Sequence, residues 1–342
     1  MIKLISWNVR KVGEKIAARQ AEALCSREPD IVALQDVNIH SIALYEKEFA
    51  QCGLTYSDHT FQETTEHTPS GVFIASRFDL HRLPATQSAL LWPEGPRTPD
   101  EDILLKHWTR RTLFVTVNCP GGDFDLYNVY ITPFNHKERI STLPQKLYPW
   151  IKFDLLSGIY QTLSAPIVSQ TILTGKPRIL CGDFNTPREE MPDGTIITWG
   201  YSGRNGKYFL KPAGQYQHEM EHNILYGLGE QCNMPDAYRR FHGYDACKAD
   251  EAWSWQTHNG KKYRFDHIFA SETLHVRNIC YLHEIGQRKL SDHTPIEVVF
   301  VIENATKSAF FANYANLATS RPNTNPKKEL CHRLSTGNYV NS

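Results

Sequence analysis

Eight short runs rich in β-branched and aromatic residues, at positions 2–7, 31–35, 71–75, 113–117, 125–130, 178–181, 265–270 and 296–302, are spread along a chain of 342 residues. Their distribution limits the possible folds more than any other feature, because apolar runs of this length bounded by turn residues read as strands. Segments 13–27, 41–51 and 146–163 lie between them and carry helical spacing, with Ile16, Ala17, Ala21 and Leu24 in the first and Pro149 breaking the last early. Hairpin-like pairs with helices inserted predict a mixed sheet, or two packed sheets covered by helices. A doubly wound parallel sheet is not expected, since no Gly-rich phosphate fingerprint accompanies the runs.

Several runs abut a short polar segment: Ser6-Trp7-Asn8-Val9, Leu34-Gln35-Asp36-Val37, Gly182-Asp183-Phe184-Asn185, Arg264-Phe265-Asp266-His267 and Ser291-Asp292-His293. Acid and amide oxygens delivered from the ends of separate strands suit a hard divalent cation, which prefers oxygen ligands and keeps waters for reaction. Singly, an Asn at a strand end is most often a turn cap and a lone His most often a structural side chain. Ser291 beside Asp292 and His293 does not make a nucleophilic triad, because adjacent residues of an extended strand point to opposite faces.

Composition narrows the class. Lys plus Arg equals Asp plus Glu at 37 each, so bulk charge does not advertise a polyanion partner. The segment after 303 is basic, with Lys307, Arg321, Lys327, Lys328 and Arg333 against Glu329. No apolar run approaches the roughly 18 residues of a membrane span, so no membrane partner is expected. The first strand-like run starts beside Met1 and leaves no room for a signal region, which predicts an intracellular protein. Eight cysteines without a CxxC pair read as reduced core residues. Connections 84–100, 140–176 and 188–235 are long and predicted to frame a substrate. One domain is expected over 1–303, followed by a tail over 304–342 in which Phe310, Phe311, Tyr314 and Leu317 could form one short helix.

The polar segments, with Asn128-Val129-Tyr130 and Pro133, Asp236-Ala237-Tyr238-Arg239 and Trp253-Ser254-Trp255, resemble in type and order the endonuclease/exonuclease/phosphatase superfamily. The resemblance runs from about residue 2 to 302. It implies an α/β (α+β) four-layer sandwich of two mixed β-sheets flanked by helices, and hydrolysis of phosphodiesters by activated water with one or two Mg2+ or Mn2+ ions. Carried onto this chain, it makes Asn8, Asp36 and Asp292 metal residues. Asp183 becomes the group that orients or deprotonates the water, and Asn185 a phosphate contact from an extended segment. His293 becomes a donor to phosphate held by Asp266, and Tyr130 a phosphate contact. Arg139, Trp255 and Arg264 are the candidates to hold substrate. Further cations sit in expected loops: Arg110 and Arg111, Lys137, Arg204 with Lys207 and Lys211, Arg239 and Arg240, and Lys261 and Lys262. Trp199, Tyr201, Phe209 and Trp253 could stack on bases.

Two departures bear on substrate. Asp36 stands where the superfamily has Glu, which shortens the reach of that carboxylate by one methylene. Arg10-Lys11-Val12-Gly13 follows Asn8-Val9 and differs from the Gly-Leu-Arg pattern of abasic-site endonucleases, so abasic-site repair is not expected. The favoured reading is a nuclease, with DNA before RNA. The alternatives are a phosphatase or lipid phosphodiesterase, or a nucleic-acid-binding module weakened by Asp36.

Overall fold

Period-two alternation divides the first strand into two faces. Ile2 and Leu4 face one apolar cluster while Ile5 and Trp7 face another, so this strand is covered on both sides. The computed structural model describes residues 1–63, 70–83, 99–133, 148–164, 176–204, 206–244 and 250–302. Arg139, Lys137 and the tail after 303 lie outside the described residues.

The first half of the chain contains β1 (Ile2–Asn8), α1 (Glu14–Cys25), β2 (Ile31–Val37), α2 (Ile42–Gln51), β3 (Tyr56–His59), β4 (Gly71–Ser76), β5 (Asp79–Arg82), α3 (Pro99–Arg111), β6 (Thr112–Asn118), β7 (Phe124–Tyr130) and α4 (Tyr148–Ser164). Next come β8 (Arg178–Asp183), β9 (Glu189–Glu190), β10 (Ile196–Ile197), β11 (Tyr201–Arg204), β12 (Lys207–Leu210), α5 (Gln215–His222), α6 (Leu228–Cys232) and α7 (Ala237–His242). The chain closes with β13 (Trp255–Gln256), β14 (Lys262–Tyr263), β15 (Asp266–Ala270), β16 (Leu274–Tyr281), α8 (His283–Gly286) and β17 (Ile296–Ile302).

Two mixed sheets form the body, of order β16-β17-β1-β2-β4-β3 and β15-β8-β7-β6-β5. Their facing surfaces bury Leu4, Ala33, Ile74 and Val298 from the first against Val115, Leu126, Ile179 and Ile268 from the second. The outer face of the first sheet is covered by α1 and α2 through Ala21, Leu24, Tyr45 and Phe49. That of the second is covered through Trp108, Phe153, Leu156 and Leu228. This is the expected four-layer α/β sandwich. Each fully buried large aliphatic or aromatic side chain stabilises by about 1.5–3 kcal/mol, against roughly 0–1 kcal/mol for an exposed ion pair, so these three apolar layers dominate the fold energy.

One polar bridge interrupts the apolar interior. Gln35 Nε2 donates to Ser6 Oγ at 3.0 Å and to Asn128 Oδ1 at 2.7 Å. Asn128 Nδ2 in turn donates across the sandwich to the carbonyls of Leu34 and Phe73, each at 3.0 Å. Those carbonyls adjoin the point where the β2–β4 register slips between Leu34 and Val37. Asn128 thus satisfies backbone groups near an irregularity that puts Asp36 in the left-handed region, φ 52°.

Three sequence expectations change. Cys25 and Cys52 are not reduced: they form a disulfide that joins the C-terminal ends of α1 and α2, with Cα atoms 5.9 Å apart. The two helices pack side by side on one sheet face, and scattered spacing gives no hint of that. Arg110 and Arg111 are not loop residues: they end α3 and are buried. Arg239 and Arg240 lie in α7. Among the described residues, no helix is long and apolar enough to cross a membrane.

Candidate active site

Side-chain parity and strand register together build the site. Along β8, Ile179 and Cys181 face the sandwich interior, so Asp183, two positions on, emerges from the same face at the strand's end. Asp266 of β15 pairs directly with Asp183, and Tyr130 of β7 pairs with it on the other side, placing three interior-facing polar side chains in one row. Asn8 reaches the row from the opposite sheet, and its Nδ2 donates to Asp183 Oδ2 at 2.8 Å. Gly182 is required before Asp183: it has φ 143°, and a Cβ there would lie 1.9 Å from the Val129 carbonyl oxygen.

His293 precedes β17 and is fixed from three directions. Trp7 Nε1 donates to its carbonyl at 2.8 Å, its own N–H donates to Ser291 Oγ at 3.2 Å, and Thr294 N–H donates to the Ser254 carbonyl at 2.6 Å. Its ring Nδ1 donates to Asp266 Oδ2 at 2.7 Å, which leaves Nε2 directed toward Asp183, 3.9 Å from Oδ2. Asp266 is itself held by its N–H donating to Ser254 Oγ at 3.0 Å. Ser291 Oγ donates to the Asn8 carbonyl at 2.7 Å, an anchoring role that agrees with its exclusion as a nucleophile.

Burial, the largest influence, pushes the Asp183 carboxyl up; His293 opposes this, Asp266 reinforces it, and the result is about 7. For His293 burial works against the charged ring, but Asp266 and Asp183 outweigh it and raise the imidazole to about 10. A carboxylate poised near neutrality beside a protonated imidazole is a base–acid pair suited to hydrolysis.

The structure places the remaining expected residues unevenly. Asn185 does not lie on an extended segment: it has φ 51°, and its N–H and Nδ2 both donate to Asp183, at 2.9 Å each. The left-handed turn directs the amide back onto the carboxylate, with a further bond from Nδ2 to the Ile131 carbonyl at 2.8 Å. Tyr130 is buried beneath the Arg111 guanidinium, which lies 4.9 Å from its ring centroid. Asp292 is at the rim, its Oδ2 accepting from Trp255 Nε1 at 3.3 Å and its Oδ1 3.9 Å from Arg10 Nε. Trp255 stacks on Phe265 and tilts against Tyr263, so it belongs to an aromatic wall beside His293. Arg264 takes a different place from the expected substrate contact. It is buried, with Nη1 on Asp236 at 2.6 Å and Nε and Nη2 gripping Glu190 at 2.8 and 2.9 Å. Those two carboxylates occupy its donors and make it a strut beneath loop 184–190.

A second buried ion pair supports the same loop from the other side. Lys152 Nζ donates to Glu221 Oε1 at 2.5 Å and to the Asn185 carbonyl at 2.9 Å. Trp199 Nε1 donates to that same carbonyl at 2.9 Å, while its N–H donates to Glu221 Oε2 at 2.8 Å. Burial lowers the Lys152 ammonium's pKa and Glu221 opposes the shift. Sequence reading passed over Lys152; the available signal was a cation between Ile151 and Phe153 in a largely apolar stretch.

One atom of the row is left over. Asp266 Oδ1 is buried and has no hydrogen-bond partner among the described residues, which is costly unless something positive approaches it. Ligand atoms of Asp183, Asp266 and His293 lie within 4.8 Å of one another, a group that could hold a metal ion.

A buried carboxylate–imidazole pair where two facing sheets meet defines a hydrolase site, and comparison with known proteins agrees. The chain belongs to the Endonuclease/Exonuclease/phosphatase family, whose sequence profile matches residues 5–293. Among solved structures, an AP endonuclease from Archaeoglobus fulgidus superposes with a TM-score of 0.55 at 16% identity, covering 88% of this chain and 100% of that one. A 3′ phosphatase, NExo from Neisseria, bound to a product DNA hairpin, gives 0.52 at 17% identity over 88% and 100%. TDP2 from D. rerio complexed with a single-strand DNA product gives 0.52 at 14% over 88% and 98%. These likenesses establish the shared fold. No curated protein matches the chain in sequence.

Proposed function

We propose that the protein is a divalent-metal-dependent phosphodiesterase that hydrolyses nucleic acid, DNA in preference to RNA. The observation that carries this reading is the arrangement of His293 between Asp266 and Asp183, with one nitrogen held and the other aimed at the base. Asp183 accepts the proton of the attacking water while the amides of Asn8 and Asn185 keep its lone pairs aligned. His293, as imidazolium, donates to a phosphate oxygen as charge builds there, and Asp266 fixes its orientation. Losing one such donor typically lowers the rate by a factor of about a hundred to a thousand.

The oxygen-rich donor set and the unpartnered Asp266 Oδ1 fit a hard cation. Asn8, Asp36 and Asp292, with Asp266, are the residues that would hold Mg2+ or Mn2+. When bound, the ion would neutralise charge on the phosphate and leaving oxygen. DNA is favoured because two of the structural neighbours are complexed with DNA products and because the Trp255–Phe265 wall offers a face on which a base can stack.

The test is turnover with Mg2+ or Mn2+ on single- and double-stranded DNA, RNA, inositol phosphates and choline lipids. Metal-dependent cleavage of DNA is expected to exceed the rest. Preference for a monoester or lipid would refute the nuclease reading, and Asp36→Glu tests the short carboxylate: a large gain marks an impaired site, no gain an adapted one.

A further inference from the structure

We infer that the β11–β12 hairpin is a strand-binding arm beside the active site, holding backbone phosphates with Arg204 and Lys207 and a base with Phe209. The inference rests on the phosphodiesterase reading and adds the path of the polymer beyond the scissile group.

The hairpin is fastened to the catalytic loop. Trp199, just before β11, bonds the Asn185 carbonyl. Arg188, three residues after Asn185, donates to the Tyr201 carbonyl at 2.7 Å. Its guanidinium lies 5.9 Å from the Trp199 ring centroid and 5.5 Å from that of Tyr208. Gly203 makes room for this stack, since a Cβ there would sit 3.2 Å from the Tyr208 ring. At the hairpin's base Gly200 and Gly214 touch backbone to backbone, leaving no space for a side chain on either. A two-stranded ribbon is marginal alone, and these anchors fix its direction relative to Asp183.

One face of the ribbon thus packs Tyr208 against Arg188, and alternation sends Arg204, Lys207 and Phe209 to the other. All three are exposed, Phe209 by 55%. Arg204 and Lys207 are cross-strand partners in the register, and neither has an ion-pair partner among the described residues. Like charges placed directly opposite destabilise a ribbon, and a polyanion laid across them removes that repulsion. Glu189, which the fold brings against Tyr208, is already engaged by that hydroxyl and by Lys261. Cations beside an exposed aromatic ring form the combination that grips single-stranded nucleic acid, with charge on the backbone and a π-face for the base. Edge-strand lysines also deter sheet aggregation, but that role gives no reason to expose a phenylalanine on the same face.

The experiment uses the full chain and a labelled single-stranded DNA of about 12 nucleotides, within the site size of such grooves, with anisotropy titrations at several salt concentrations. Arg204→Gln/Lys207→Gln removes two phosphate contacts and should flatten the dependence of log affinity on log salt by about 1.4. Phe209→Ala should weaken binding about five- to a hundredfold at constant slope, and Arg204→Lys/Lys207→Arg should keep the wild-type slope. Because all three side chains are exposed, melting temperatures should stay at the wild-type value. Unchanged affinity and slope in the charge-removed and Phe209→Ala variants overturn the arm, as does wild-type protein that binds phosphatidylserine vesicles and no DNA. Hydrolysis of bis(p-nitrophenyl) phosphate by wild type separates the levels: if wild type cleaves the small diester and binds DNA but the variants bind it unchanged, the arm alone fails. If the diester is cleaved and DNA is not bound, the arm and the nucleic-acid substrate fail while the phosphodiesterase chemistry stands; if neither occurs, every level fails.

Discussion

Replacing Lys152 by Met tests whether the catalytic loop depends on a charge pair it never exposes. Met fills most of the volume but leaves the Glu221 carboxylate buried with Trp199 N–H as its remaining described donor. Breaking a buried pair from one side costs about 3–5 kcal/mol, because the surviving charge is uncompensated. At roughly 2 °C per kcal/mol for a large domain, the melting temperature should fall by about 6–10 °C. Glu221→Gln in the same chain removes the stranded charge and keeps an acceptor for Trp199, so Lys152→Met/Glu221→Gln should recover at least half of the loss. Activity should respond separately. The Asn185 carbonyl loses one of its two described donors, the left-handed turn loosens, and the amide bonds that align Asp183 weaken. We expect kcat to fall about tenfold with KM little changed, since the damage is to a group acting in the transition state. Thermal melts, urea unfolding and steady-state kinetics on the four proteins of the cycle decide it. A single variant as stable as wild type, or a double variant no better than Lys152→Met, would show that the pair does not couple as described.

Three further outcomes follow from the site and its supports. Asp183→Asn and His293→Ala should each reduce phosphodiester cleavage at least about a hundredfold while the far-ultraviolet spectrum is retained; near-normal turnover in either removes its assigned role. Because Asp183 must be ionised and His293 protonated, kcat/KM should fall below about pH 7 and again above about pH 10, and a flat profile across that window contradicts the pairing. For Glu190, burial raises the carboxyl, but Arg264 and Arg239 outweigh it and hold it at about 2, below its ordinary 4.5. The folded state therefore gains roughly 3 kcal/mol at neutral pH that is lost progressively as pH drops from about 4.5 toward 2. Urea midpoints should decline more steeply with acid in wild type than in Glu190→Gln, and parallel declines would refute the linkage.

The four layers were legible because their signal is local: alternation in β1, β8 and β17 and helical spacing in α1 can be read from neighbouring residues. The motif residues of the site were legible as a set, since Asn8, Asp183, Asp266 and His293 each end or adjoin a readable strand. What sequence could not supply was direction. Asn185 follows Asp183 by two positions, and only the left-handed turn reveals that its amide faces back onto that carboxylate. Arg264 carries a charge beside a catalytic Asp, yet its partners Glu190 and Asp236 lie 74 and 28 residues away, and nothing in the spacing shows they converge. The Cys25–Cys52 bond and the Lys152–Glu221 pair were missed for the same reason: both depend on how helices pack, which is a tertiary property.

The position of β1 between β2 and β17 bears on how the protein comes into being. Among the described strands the first in the chain gains its second neighbour only when the last one arrives, and Trp7 must wait for a carbonyl 286 residues downstream. Until then the half-made sheet presents an open border to solvent or to chaperones, and loop closure over such a span is slow. Hydrolytic competence should therefore arrive abruptly once β17 is made, and nascent chains stalled before residue 296 should be inert and prone to aggregate.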